Sequence, residues 1–138
     1  MLKPPSVKPQ PKELAWMGDS QERLTEMPQD VKDTMGHALF IAQIGGKAAG
    51  DVKPLTGIAG GVMQISEDDD GNTYRAVYTI HYADIVYVLH CFQKKSKSGS
   101  KTPKEDLDLI EKRLKKVNEL EAKKAKAQKD AAKAPKKK

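Results

Sequence analysis

From Val31 the apolar positions fall at Val31, Met35, Ala38, Leu39 and Ala42, which is helical spacing with one buried face. Pro28 suits the start of that helix and Gly45-Gly46 its end. Before it, ELAWM (13–17) is a short apolar run that predicts a first strand, closed by Gly18-Asp19. Ser20 is placed to cap a short helix running into Arg23-Leu24. Residues 45–61 are glycine-rich and predict a loop with Lys53-Pro54-Leu55 embedded in it. The period then changes. Val62 to Ile65, Thr73 to Ile80 and Ile85 to Phe92 are rich in Val, Ile and Tyr and predict three strands. Glu67 to Asn72 makes a hairpin turn, in which Asp70-Gly71-Asn72 tolerate positive φ, and His81 to Asp84 joins the next pair. The result is an antiparallel meander.

A last helix starts at Thr102-Pro103-Lys104-Glu105, with Thr102 as cap, Pro103 in the first position and Glu105 completing a capping box. Its stripe is Leu107, Ile110, Leu114 and Val117. Beyond Leu120 the stripe vanishes, which predicts a fraying helix or a disordered extension. The order defines an α+β fold with a small, mostly antiparallel sheet and helices on one face. Three regions follow: residues 1–11, with four prolines, as a flexible arm; 12–120 as the domain; and 121–138 as a basic Lys/Ala-rich tail.

Length and composition narrow the field. The 138 residues suffice for one core, not two. No apolar run is long enough for a membrane span, and the proline-rich start lacks the apolar segment of a secretory leader. The single cysteine, Cys91, excludes an intrachain disulfide framework, so a cytoplasmic location is expected. The formal net charge is +6, yet residues 112–138 hold twelve Lys or Arg against Glu119, Glu121 and Asp130, so the body before them is mildly acidic. Such a tail attracts polyphosphate or is simply solvated.

Several motifs carry candidate chemistry. Arg75 interrupts an apolar strand, alternating with Val77 and Thr79 while Tyr74, Ala76 and Tyr78 share the other face. Lys94, Lys95 and Lys97 follow the end of the neighbouring strand, with His90 and Phe92 just before them. The bland alternatives are an Arg75 paired with an acid on a solvated face, a satisfied core histidine at 90 and a solvated lysine loop. His37, His81 and Cys91 have no metal-ligand spacing, and Asp68-Asp69-Asp70 lacks the pattern of a calcium loop. Gly57, Gly60 and Gly61 do not open a helix, so they are not a phosphate-cradling loop.

Taken in order, Gly18-Asp19-Ser20, Met27-Pro28, Lys53-Pro54-Leu55, Gly60-Gly61-Val62, Tyr74-Arg75-Ala76-Val77-Tyr78 and VYVLHCFQKK (86–95) with Lys101-Thr102-Pro103-Lys104 resemble the HigB-type branch of the RelE superfamily. These are phage-derived toxins of type II toxin–antitoxin pairs. The resemblance covers roughly residues 12–117. It implies a RelE-like fold and an endoribonuclease that cuts mRNA on the ribosome without metal or cofactor. It also implies a helix-turn-helix antitoxin encoded nearby, with operator DNA reached only through that antitoxin, and no membrane partner. Arg75, Lys94 and His90 become the catalytic candidates, and Lys95, Lys97, Phe92 and Lys53 the RNA-binding ones. One departure is that Gln64-Ile65-Ser66 stands where the family often carries an arginine after Glu-Leu or Glu-Ile. That leaves open a non-catalytic ribosome- or RNA-binding protein on a degenerate toxin fold.

Overall fold

The computed structural model describes residues 11–46, 51–58, 60–94 and 102–133. The chain runs β1 (Glu13–Trp16), α1 (Ser20–Thr25), α2 (Gln29–Gln43), β2 (Val52–Pro54), β3 (Val62–Asp69), β4 (Asn72–Thr79), β5 (Ile85–Lys94) and α3 (Lys104–Lys133). It is an α+β fold with one five-stranded sheet in the order β1-β5-β4-β3-β2. β1 pairs with β5 in parallel and all other pairs are antiparallel.

The helices do not share one face, as the sequence reading expected. Val31, Met35, Ala38, Leu39 and Ala42 of α2 pack with Ile65, Tyr74, Ala76, Tyr78, Val86 and Val88. Ile110, Leu114 and Val117 of α3 pack with the alternate residues Val77, Ile85, Tyr87 and Leu89. The cause lies in β4 and β5, where 74–79 and 85–92 are buried without interruption. A strand that is apolar on both sides needs a layer on each. Each fully buried Ile or Val contributes roughly 1.5–3 kcal/mol, so leaving either face bare would cost much of the domain's stability.

β5 carries one extra residue. Val77 pairs with His90 and Tyr78 with Val88, so Leu89 has no partner on β4. This bulge shifts the alternation by one. Upstream of it, Tyr87 and Leu89 face α3; downstream, Phe92 faces α3 as well and Cys91 faces α2. Arg113 of α3 holds the bulge in place. One guanidinium nitrogen donates to the Leu89 carbonyl at 2.8 Å and another to Asp19 at 2.9 Å.

Three local expectations change. Residues 45–61 contain a strand, β2, paired with β3 at the sheet edge. Pro54 hides it in the sequence, since proline is tolerated only at such an edge. The hairpin turn shrinks to Asp70-Gly71, at φ 51° and 82°, because Glu67, Asp68 and Asp69 continue β3. Ser20 lies inside α1, where its hydroxyl donates to the Val88 carbonyl at 3.1 Å instead of capping. Thr102, just before α3, donates to the Gln64 side chain at 3.2 Å.

Two glycines should respond oppositely to alanine. Gly18 has φ 53°, and a Cβ there would stand 2.4 Å from the Arg113 guanidinium. Gly18→Ala should lose about 1–3 kcal/mol in denaturant unfolding. Gly36, exposed within α2 with nothing within 4 Å of its would-be Cβ, should gain up to about 1 kcal/mol as alanine. Equal stability of Gly18→Ala and the parent would mean that the guanidinium does not press on this turn.

Candidate nucleic-acid interface

The register of the central strands assembles a polar patch on the α3 side of the sheet. Ser66 stands opposite Arg75, Arg75 opposite Phe92, Thr73 opposite Lys94, and Lys53 opposite Gln64. The Leu89 bulge is what brings Phe92 and Lys94 to the same face as Arg75. Without the extra residue they would point toward α2.

A cleft of about 350 Å³ opens over this patch. Lys53, Gln64, Ser66, Arg75 and Thr102 supply its polar lining, and Leu55 and Leu107 are among its apolar walls. Arg75 is only 4% exposed. Its Nε and Nη1 find no hydrogen-bond partner among the described residues. Burial pushes the guanidinium's pKa down, opposed only by the more distant charge of Asp68. Lys94, 6% exposed, is pushed down by its own desolvation and then by Arg75. Arg75 thus presents donors without a partner among the described residues at the wall of a cleft, and its charge is felt by Lys94 on the same face of the sheet. A buried cationic donor so placed favours an anion that enters the cleft.

Of the other sequence-derived candidates, Lys53 lines the cleft, whereas Lys95 and Lys97 lie outside the described residues. His90 and Phe92 lie behind the surface. His90 is 1% exposed, donates from Nε2 to Asp106 at 2.8 Å, and leaves Nδ1 without a partner among the described residues. Its ring stacks on Phe92 at 4.8 Å and 15°. The apolar neighbourhood that seals β5 also seals these two rings. Phe92, 3% exposed, offers little open ring surface, and His90 is an enclosed histidine with only one ring nitrogen bonded among the described residues. Gln64 and Thr102 were not expected at the site. The signal for Gln64 was the two-residue turn, which sets the β3–β4 register, but Thr102 read only as a helix cap.

Among the described residues, no group of three or more His, Cys, Asp or Glu is placed to hold a metal ion. No described helix is long and apolar enough to cross a membrane.

The chain is therefore a small mixed-sheet α+β protein with a cationic cleft on the α3 side. Residues 22–115 match the family described as Phage derived protein Gp49-like (DUF891), and the chain belongs to that family. The match spans α1 to the middle of α3, leaving β1 and the lysine-rich end of α3 outside it. No curated protein and no solved structure matches the chain.

The enclosed histidine makes a pH prediction. Burial outweighs the Asp106 carboxylate and lowers the His90 pKa below its ordinary 6.5. The unfolded chain then takes up the proton first, so the folded state loses stability as pH falls below 6.5, until native His90 itself protonates. Asp19, held at about 2 by Arg23 and Arg113, acts in a separate window, losing its contribution as pH falls below the ordinary 3.8. The urea midpoint should fall between roughly pH 7 and 5, and His90→Gln should flatten that slope. An unchanged slope in the variant would place the titration elsewhere.

Proposed function

We propose that this protein is the toxin of a type II toxin–antitoxin pair of the RelE/HigB type, cutting mRNA on the ribosome. The observation that carries the reading is Arg75, a buried guanidinium at a cleft wall with two nitrogens that have no partner among the described residues, and whose charge reaches Lys94 on the same sheet face. Membership of the phage-derived Gp49-like family supports it, as does the likeness to HigB-type toxins described above.

In this reading the cleft receives one phosphodiester of a single strand. The ribose 2′-oxygen attacks the adjacent phosphorus, an O2′–P bond forms, and the P–O5′ bond breaks. Arg75 binds the non-bridging oxygens, whose negative charge grows in the transition state. Preorganised donors act most strongly there because they need not reorient. Lys94, with its pKa pushed down by desolvation and by Arg75, takes the 2′-hydroxyl proton as a neutral amine and, as the ammonium so formed, returns a proton to the departing O5′, since a proton-transfer group works best when its pKa approaches the ambient pH. Gln64, Ser66 and Thr102 orient the ribose and its neighbours by hydrogen bonds. His90 acts from behind, fixing Phe92 and hence the β5 side of the patch. Ser66, opposite Arg75, stands where the family often has arginine, so Arg75 serves the same space from the neighbouring strand. The reading calls for no metal or cofactor. Its partners are mRNA on the ribosome and a helix-turn-helix antitoxin from a neighbouring gene, with operator DNA contacted through the antitoxin.

The enclosure of His90 and the serine at 66 favour a second reading, in which the cleft binds RNA without cutting it. Inducing the full chain in cells and mapping mRNA 5′ ends separates the two. New ends within coding regions, suppressed by co-expressing the product of an adjoining helix-turn-helix gene, support the toxin. Growth inhibition and ribosome association without new ends indicate the binder.

Arg75→Met should separate stability from activity. Replacing an unpartnered buried cation with an apolar side chain of similar length should leave stability equal or higher. Cleavage should fall by about 10²–10³-fold, the usual loss for one transition-state donor. A variant that folds and cuts at the parental rate would remove Arg75 from the mechanism.

A further inference from the structure

α3 changes character at Glu121. Before it, Ile110 and Val117 are fully buried and Leu114 nearly so. Two tyrosines tether the helix where this stripe ends. Tyr82 donates to Asn118, and Tyr87 donates to Glu121 at 2.6 Å. α3 nevertheless continues to Lys133, and every residue from 122 to 131 is exposed. Twelve residues at 1.5 Å each carry the helix about 18 Å past its last tether. On its own, so short a helix would be marginal in water. Here it grows from an anchored one and keeps that helix's direction.

Lys112, Lys116, Lys123 and Lys126 fall within about 80° of arc on a 3.6-residue helix, opposite Ile110, Leu114 and Val117. All four are exposed. Lys115 and Lys129 flank the ridge, and Glu119 and Asp130 are the acids on it. The ridge is about 21 Å long. It starts over the folded domain and ends on the overhang. The cleft lies toward the start of α3, where Leu107 is about 8 Å along the helix axis from Lys112 and about 24 Å from Lys123, and on the face of α3 turned to the sheet.

We propose that this ridge docks on the phosphate backbone of double-helical RNA, as a second RNA contact separate from the cleft. Lysines on a rigid helix suit backbone phosphates and read no sequence. The overhang has no aromatic residue on which the bases of a single strand could stack. Among the described residues of α3, Leu120 is the one large apolar side chain that is exposed, too little to anchor a helix in a lipid interface. The choice of RNA over DNA rests on the cleavage reading, whereas the ridge itself rests on charge and exposure.

The test is fluorescence anisotropy of the full chain on a short RNA duplex, with a DNA duplex of the same sequence and vesicles of phosphatidylserine as comparison arms. The quadruple variant Lys112→Gln, Lys116→Gln, Lys123→Gln and Lys126→Gln keeps good helix formers in place, and circular dichroism checks the helix. RNA affinity at low salt should drop roughly tenfold or more, and the log–log salt slope should shrink by about 3–4. A charge-matched control, Lys3→Gln, Lys8→Gln, Lys12→Gln and Lys32→Gln, should lose much less. Parental RNA binding by the ridge variant, an equal loss in the charge-matched control, or preference for DNA or vesicles overturns the proposal. Absence of new mRNA ends with duplex binding intact would count against the cleavage reading alone.

Discussion

An unpaired residue in the central strand, Leu89, governs what the α3 face of this protein contains. The extra residue reverses the alternation of β5 partway along its length. Apolar side chains therefore face α3 at the start of the strand, and Phe92 and Lys94 join Arg75 at its end. A bulge leaves backbone groups unpaired, and a buried one must find partners for them. Arg113 supplies one by donating to the Leu89 carbonyl, and its second bond to Asp19 ties that point to the turn before α1. Gly18 keeps this turn free of a side chain so that the guanidinium can lie against it. One irregularity, held by one arginine, thus aligns the cleft with the helix that borders it.

The protein contains two arginines in enclosed settings, and they obey opposite rules. Arg113, with its side chain 16% exposed, donates to a carbonyl and to a carboxylate, so its charge is compensated where it lies. Arg75 is more deeply enclosed, yet two of its nitrogens have no partner among the described residues, and Lys94 presses on it. A buried unpaired donor costs about 1–3 kcal/mol, more when charged, against a total stability of about 5–15 kcal/mol for a typical domain. An arrangement so costly in the free protein makes physical sense where a ligand supplies the missing acceptor. A phosphate does so in the planar, two-pronged geometry that a guanidinium prefers. On the proposed reading, Arg113 carries structural charge and Arg75 functional charge, a distinction made by their partners rather than by their positions in the sequence.

Much of the frame was legible in the residues. The α2 stripe from Val31 to Ala42, the meander and the buried Ile110, Leu114 and Val117 all follow from periodicity, which burial enforces. The Ser66–Arg75 pairing was also accessible, because Asp70-Gly71 fixes a two-residue turn and the turn fixes the register. What stayed hidden depends on contacts between distant segments. No local pattern distinguishes the Leu89 bulge from regular alternation in VYVLHCF. β2 is three residues long and contains a proline, so only its place at the sheet edge makes it a strand. The helices on both faces could have been inferred from the unbroken burial pattern of β4 and β5, had it been weighed above helix order. Ser20 and Thr102 have the chemistry of caps, but their hydroxyls reach across the fold to Val88 and Gln64. At the site, Arg75 stood out as a charge within an apolar strand. His90 and Phe92 sit close to it in sequence, yet packing turns their rings toward each other and toward Asp106.

α3 shows how one helix can serve two kinds of surface. Through its first half, tertiary burial stabilises the helix and sets its axis against the sheet. Past Glu121 no burial contributes, and the helix must rely on intrinsic propensity, for which alanine, lysine and glutamine are all favourable. Alanine and lysine dominate residues 122–133. This composition maintains helical form while leaving the surface charged, the opposite of what a core-facing segment requires. The Tyr82 and Tyr87 tethers sit at the boundary and pass the direction of the buried half to the exposed half. A disordered tail of the same charge would sample many directions and lose that freedom on binding any partner. A helix already aligned loses less, so its charge acts along a defined line away from the cleft.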